Sequence, residues 1–375
     1  MIPYMIWGDG GRFTNKNENS MNAIAFKSLL AEKGFDTAII PLWGLPKSAA
    51  VKTQPEEEST YWILWEHTVH SLNELFEGVC SDRDSCGNKW AHGSPEAQVA
   101  GRRVCGGYRF VCWNLGADLD YMGNDLGFPH HAHLNPCVFC SASREKGTEY
   151  PITDLSRNAR WKTTLIEPAE GIFVPPTRRP ISQLRGFTRY HRPGDLMHTG
   201  DLGVLQYVIG GVLCELLESG LFAGTERSRV EQLWGLVSEG YKRLDSSTRL
   251  STLNETMFKP QGTQNATLKA KAAETRSLLY VMIEVCKEAD DSSDHHQHRL
   301  RMLEHIGAIY DIFKASGNFL PRAKADEALE HLHDFYEHYA WMAHAAIREG
   351  KFRYPITTKM HELYHIVDLA RWFNP

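Results

Sequence analysis

Residues Asn114–Cys140 read NLGADLDYMGNDLGFPHHAHLNPCVFC, and the interpretation of the whole chain turns on them. Asp118 and Asp120 follow an apolar run, and Cys137 and Cys140 form a Cys-x-x-Cys pair further on. Carboxylates at the end of a strand suit hard cations such as Mg²⁺, whereas two thiolates two residues apart suit Zn²⁺. Neither set completes a coordination sphere, so the remaining ligands must lie elsewhere in the chain.

Upstream, Pro3–Trp7 is a short apolar run closed by Gly8-Asp9-Gly10-Gly11, a turn signal that sets Asp9 at a strand's end. NAIAFKSLL (22–30) and TAIIPLW (37–43) are further strand candidates, and the spacers NKNENS and EKGFD between them predict a meander. GDGG matches neither glycine-rich phosphate motif. Trp62, Trp65, Val69, Leu72, Leu75 and Phe76 recur at helical spacing over 60–79. Tyr108–Asn114 (YRFVCWN) is aromatic and β-branched, hence a strand, and Leu119–Leu126 can start a short helix. As a helix N-cap, Asp118 would need no further role. Cys80, Cys86, Cys105 and Cys112 match no compact zinc spacing and read as ordinary thiols.

From Asp195 the pattern becomes helical. Leu202, Leu205, Val208, Ile209, Val212, Leu213 and Leu216 make a helix apolar almost all round, which belongs in a core. Further helices are predicted near 226–245, 264–289, 299–315, 323–348 and 358–372. The run DDSSDHHQHR (290–299) interrupts them and reads as an exposed acidic loop. The expected organisation is an α/β part over 1–190 followed by a helical part over 191–375.

Composition sets outer limits. The 375 residues are 42% hydrophobic and 23% charged, as in ordinary globular proteins. A formal net charge of −5 argues against a large autonomous nucleic-acid surface, without excluding a local one. No apolar run reaches the ~20 residues of a membrane span, and no secretion signal opens the chain, so a nuclear or cytoplasmic location is expected and no membrane partner. In a reducing compartment eight cysteines with one tight pair indicate a metal site before a disulfide scaffold.

The missing ligands stand in the last predicted helix, KMHELYH (359–365). His361 and His365, at i and i+4, share a helix face and can bind one metal. The same residues spell His-Glu-x-x-His, the zinc-protease motif with Glu362 as general base, although only Asp368 follows as a third ligand candidate. The competing reading combines His361 and His365 with Cys137 and Cys140 into a closed Cys₂His₂ zinc site that would pin the helical part to the α/β part.

The order Asp9, Asp118, Cys137-x-x-Cys140, a long helical stretch, then His361-x₃-His365 resembles the cut-and-paste DDE transposases with a helical insertion, in particular the CACTA (En/Spm-like) group. Asp195-Leu196-Met197-His198 with Leu202-Gly203-Val204 is similar to the motif opening that family's insertion, and LKAKAAETRSLL (268–279) to its middle section. The resemblance implies an RNase H-like α/β fold, a mixed sheet with a large all-α insertion. It implies DNA cleavage and strand transfer at transposon ends and target DNA, with self-association a further expectation. Asp9 and Asp118 would hold catalytic Mg²⁺ or Mn²⁺, and the Cys/His set a structural Zn²⁺. Ala117 stands where the family has glycine before its second aspartate, and Asp120 is an alternative ligand. The family's third acid lies beyond the His-x₃-His helix, so an incomplete triad is expected, with Glu362 and Asp368 as the nearby acids. A transposase-derived protein that keeps the zinc site and binds DNA or a partner without catalysis is the alternative.

Overall fold

The computed structural model describes residues 1–12, 20–30, 39–166, 177–192, 194–259, 262, 264–289, 291–317 and 320–372. The chain divides into two compact units, one formed by Met1–Ser141 with Leu165–Pro193, the other by Ala142–Thr164 with Gly194–Pro375. Among the described residues the elements are four strands in one sheet and nine α-helices.

The first unit is built on β1 (Ile2–Arg12), β2 (Ser20–Ser28), β3 (Ile39–Pro46) and β4 (Phe110–Gly116), in the order β3-β2-β1-β4. β1 runs antiparallel to β2 and parallel to β4, and β2 antiparallel to β3, so the sheet is mixed. The spacers expected to turn the meander, NKNENS (15–20) and EKGFD (32–36), lie outside the described residues except for Ser20, the first residue of β2. Alternation buries Tyr4, Ile6 and Ile24, and a register shift between Tyr4 and Met5 lets Cys112 and Leu115 pair with Tyr4 and Ile6 and be buried with them. Helix α1 (Thr60–Glu77) buries Trp65, Val69 and Leu72, as its spacing predicted. Its Thr68 hydroxyl accepts from the Trp43 indole of β3 at 2.9 Å, and Trp43 packs edge-on to Trp65. Helix α2 (Pro95–Val99) is a single short turn, and α3 (Leu119–Asn124) follows β4 directly.

One expectation needs correcting here. Asp9 does not end a strand: β1 continues to Arg12, with Asp9 opposite Ala23 and Gly10 opposite Asn22. The glycines looked like a turn because they lack side chains, but β2 supplies the backbone partners that hold them extended. Gly8 and Gly116 are required for a different reason. A Cβ on Gly8 would lie 2.6 Å from the Tyr121 ring, and one on Gly116 2.4 Å from the Trp7 indole.

The second unit is helical. A π-helical stretch, Met197–Val204, leads into α4 (Leu205–Glu218), followed by α5 (Glu226–Arg243), α6 (Ala272–Glu288), α7 (Asp294–Ala315), α8 (Arg322–Arg348) and α9 (Thr358–Leu369). The continuous helix Met197–Glu218 is long and apolar enough to cross a membrane by length and composition, which the sequence reading did not allow for. Its apolar window is mostly buried within the protein, as a core helix requires. Two boundaries move. Residues 264–271 are not helical, and α6 starts at Ala272. The supposed acidic loop is largely helix: Ser293 caps α7 by accepting from the His296 N–H at 3.0 Å, and His296 and Arg299 are buried. Asp290 lies outside the described residues. The serine cap and the histidines facing α8 outweigh the polar composition.

Candidate metal centre and the acidic cavity

The Cys-x-x-Cys pair sits in a loop whose central residues Val138 and Phe139 are buried. The two sulfurs are 3.6 Å apart, and the Phe139 N–H donates to Cys137 Sγ at 3.3 Å. That spacing is far beyond a disulfide bond of ~2.05 Å. It is close to the ~3.8 Å between two sulfurs on one tetrahedral zinc with Zn–S bonds of ~2.3 Å. The loop is held from behind by Arg189, a buried guanidinium that donates to the Val138 carbonyl. Burial pushes the pKa of Arg189 down, while Tyr190 and Cys137 act in the opposite direction. Arg189 had no signal in the sequence, because nothing in GFTRYHR marks it as buried.

On α9, His361 and His365 are each 2% exposed, and their Nε2 atoms approach to 3.0 Å. One helical turn brings them together, and the edge of Trp161 packs on His361 with ring centroids 4.4 Å apart. Cys137 and Cys140 belong to the first unit and His361 and His365 to the second, and a Cys₂His₂ set of these donors could hold a metal such as zinc. The donor set fits: two soft thiolates and two imidazoles, mostly buried, match the chemistry of a four-coordinate structural zinc. Of the two acids considered as substitutes for a third catalytic carboxylate, Asp368 binds the Arg371 guanidinium at 3.0 Å, and Glu362 is 8% exposed on α9.

The aspartates behave differently from one another. Asp118 is the N-cap of α3, its Oδ1 accepting from the Tyr121 N–H at 2.6 Å. It also lines a cavity of about 720 Å³ with Asp120, Asp125, Glu56, Lys47, Lys52 and Arg179. Asp125 accepts from the Asn22 amide at 2.7 Å. Burial raises the pKa of Asp125, against the opposing pull of Lys47 and Asn22. Asp9 is exposed and is not among the lining residues of that cavity. Its neighbours Gly8 and Gly10 face Tyr121 and Lys47, so strand alternation puts Asp9 on the opposite sheet face, with Trp7. Asp9, within β1, and Asp118, just past the end of β4, nevertheless each come two residues after the parallel pair Trp7–Gly116.

Six other cysteines are outside disulfides: Cys80 is half-buried, Cys86 and Cys105 are exposed, and Cys112, Cys214 and Cys286 are buried, the Cys112 thiol being pushed up to about 12. A buried polar centre that the sequence reading missed lies in the second unit. Asp201, with no exposed side-chain surface, is bound by the Arg276 guanidinium and by the Tyr310 hydroxyl at 2.8 Å. At the start of the π-helical stretch Asp195 accepts from the N–H groups of Met197 and His198 at 2.8 and 3.1 Å, and Lys359 donates to the carbonyls of His198 and Leu202 at 2.9 and 3.0 Å. Asp201 lies between the two quoted pieces of the motif that opens the insertion resemblance, and Arg276 lies in its quoted middle section, so their pairing links those regions physically. A lone aspartate in an apolar stripe was the available signal.

No protein-family model matches the chain, and no curated protein matches it either.

Proposed function

We propose that the chain is an RNase H-like domain of the CACTA-type DDE transposases, acting on DNA phosphodiesters with a structural zinc at Cys137, Cys140, His361 and His365. The observation that carries this reading is the register of β1 with β4: Asp9 and Asp118 follow the same paired position on neighbouring parallel strands. A mixed sheet followed by a long helical region supports it at the level of fold. Lys47, Lys52 and Arg179 around the cavity offer cations to a phosphate backbone beside the carboxylates of Asp118, Asp120 and Asp125.

In this reading Asp118 would hold Mg²⁺ or Mn²⁺ at the cavity, and Asp9, which leaves β1 on the other sheet face, would have to join it from across the strand; the ion would supply charge neutralisation for in-line attack on the phosphodiester. The N–H of Tyr121 fixes the Asp118 carboxylate through Oδ1, so Oδ2 is the oxygen left for a cation. Asp9, held in the middle of a paired strand, contributes a carboxylate whose backbone position is set by β2. The His-Glu-x-x-His protease alternative is disfavoured by the thiolates. With Cys137 and Cys140 as further ligands, four protein donors would fill a tetrahedral zinc and leave no position for the water that Glu362 would have to activate.

The non-catalytic alternative draws on one observation: the cap of α3 already uses one oxygen of Asp118. Incubation of the full chain with supercoiled DNA and Mn²⁺ separates the two. The catalytic reading expects nicking that Asp118→Asn and Asp9→Asn each abolish. Absence of nicking by a zinc-loaded, folded protein would leave the binding role, and nicking that survives both substitutions would remove Asp9 and Asp118 from the chemistry.

A further inference from the structure

Within the first unit, a group of three metal-ligating side chains comes together among the described residues. Asp120, His130 and His131 each offer a donor atom, and these atoms lie within 4.8 Å of one another. The Asp120 Oδ1 is 3.4 Å from His130 Nε2 and 3.9 Å from His131 Nδ1, and the two imidazole rings are 3.8 Å apart between centroids. We infer that Asp120, His130 and His131 form a second metal site, which takes one divalent transition ion such as Zn²⁺, Co²⁺ or Ni²⁺. This inference does not rest on the proposed transposase function.

Three features carry the assignment. The donor set is two imidazoles and one carboxylate, a combination suited to borderline divalent ions and poorly suited to Mg²⁺ or Ca²⁺. The ligands come from two short local elements, the first turn of α3 and the loop after Phe128 and Pro129, so their approach is set within one unit. Three protein donors leave coordination positions open, as in catalytic sites and unlike the four-donor cluster. Asp120 also lines the acidic cavity, so the ion would sit on its rim, where an open position is available to water or to a phosphate oxygen.

The tautomer needed is specific. The Ala132 N–H now points at His130 Nδ1 at 3.2 Å. Coordination through Nε2 moves the proton of His130 to Nδ1 and turns that amide to solvent, which is accessible because Ala132 is exposed.

The test uses the full chain already saturated with zinc at its thiolates, titrated with Co²⁺ and followed by visible absorption. The expected result is one further equivalent with ligand-field bands and no thiolate-to-cobalt charge-transfer band. His130→Ala with His131→Ala, and separately Asp120→Asn, should lose that equivalent, while exposed His92→Ala keeps it. Since Asp120 and His131 are both exposed, Asp120→Asn and His131→Ala report on binding even where the double variant does not fold. Uptake undiminished in these variants, a thiolate band on the added cobalt, or no uptake by wild type would overturn the inference.

Discussion

Replacing Arg276 by methionine isolates the buried centre of the helical unit. Asp201 has no exposed side-chain surface and keeps two partners, Arg276 and the Tyr310 hydroxyl. Removing one partner of a buried ion pair costs ~3–5 kcal/mol, because the remaining charge stays buried without compensation. Arg276 is 48% exposed, so water can enter where the guanidinium was, and the expected loss falls to about 2–4 kcal/mol. For a unit of this size that corresponds to a fall in Tm of roughly 5–15 °C. Asp201→Asn removes the charge but still accepts from Tyr310. The double variant should therefore recover part of the loss, with a coupling of about 1–3 kcal/mol. Thermal and urea unfolding of the four proteins of the cycle, followed by far-ultraviolet circular dichroism, measures it. A loss below ~0.5 kcal/mol for Arg276→Met, the level of an ordinary surface change, would refute the claim that this pair organises the unit.

Four further outcomes follow from the geometry. Purified full-length protein should carry zinc, and Cys140→Ser or a strong chelator should remove it and lower Tm, as checked by elemental analysis with calorimetry; an unchanged Tm after verified zinc loss would deny the ion a structural role. Asp118→Ala should destabilise by about 0.5–2 kcal/mol through loss of the α3 cap, whereas Asp118→Asn should be nearly neutral in denaturant midpoint, since asparagine caps as well as aspartate. Gly116→Val should cost about 1–3 kcal/mol, because its side chain would occupy the place of the Trp7 indole, and Trp7→Ala in the same chain should relieve part of that cost.

The fourth concerns acid. Burial, then Lys162 and Arg157, lower the His333 pKa from 6.5 to about 4, and Lys162 Nζ stands 3.2 Å from its Nε2. Burial also lowers His298, His305 and His338, where His298 meets His338 at 2.9 Å and His305 meets His331 at 3.0 Å between α7 and α8. These groups bind fewer protons folded than unfolded, so their stabilisation is complete above the unfolded pKa near 6.5. It is lost as pH falls from there through the folded values. His333 alone accounts for on the order of 3 kcal/mol between pH 6.5 and 4, and His333→Gln should flatten the pH dependence of the urea midpoint over that window. An unchanged slope in that variant would show that His333 is not held neutral in the fold.

Much of the architecture is written in local periodicity. The stripe Trp65–Val69–Leu72 yields α1, the apolar run after Leu202 yields the core helix Met197–Glu218, and the i, i+4 histidines of α9 share one face because a helix turns once between them. The Cys-x-x-Cys pair was equally legible, since two thiols so close in sequence can share an ion without help from the rest of the chain. Local pattern failed where a partner strand or a cap outweighed composition. Gly10 and Gly11 look like a turn and are held extended by β2, and DDSSDHHQHR looks like a loop and begins α7.

The chain's own sequence therefore determined the donor types of the candidate metal set, the helical character of the second half, and the strands that contain Asp9 and lead to Asp118. Only the tertiary structure decided three things: that the Cys137 and Cys140 sulfurs stand 3.6 Å apart, that Asp9 and Asp118 follow one β1–β4 register point, and that Asp201 is buried against Arg276 and Tyr310. The reason is one of range. Helical and extended periodicity arise from neighbours a few residues apart, whereas coordination, strand register and the burial of a charge depend on which distant segments pack together. In the opening stretch Asn114–Cys140 both kinds of information meet. Its aspartates and cysteines could be read directly, but the cavity beside Asp118, the approach of His130 and His131 to Asp120, and the buried Arg189 behind the cysteine loop could not.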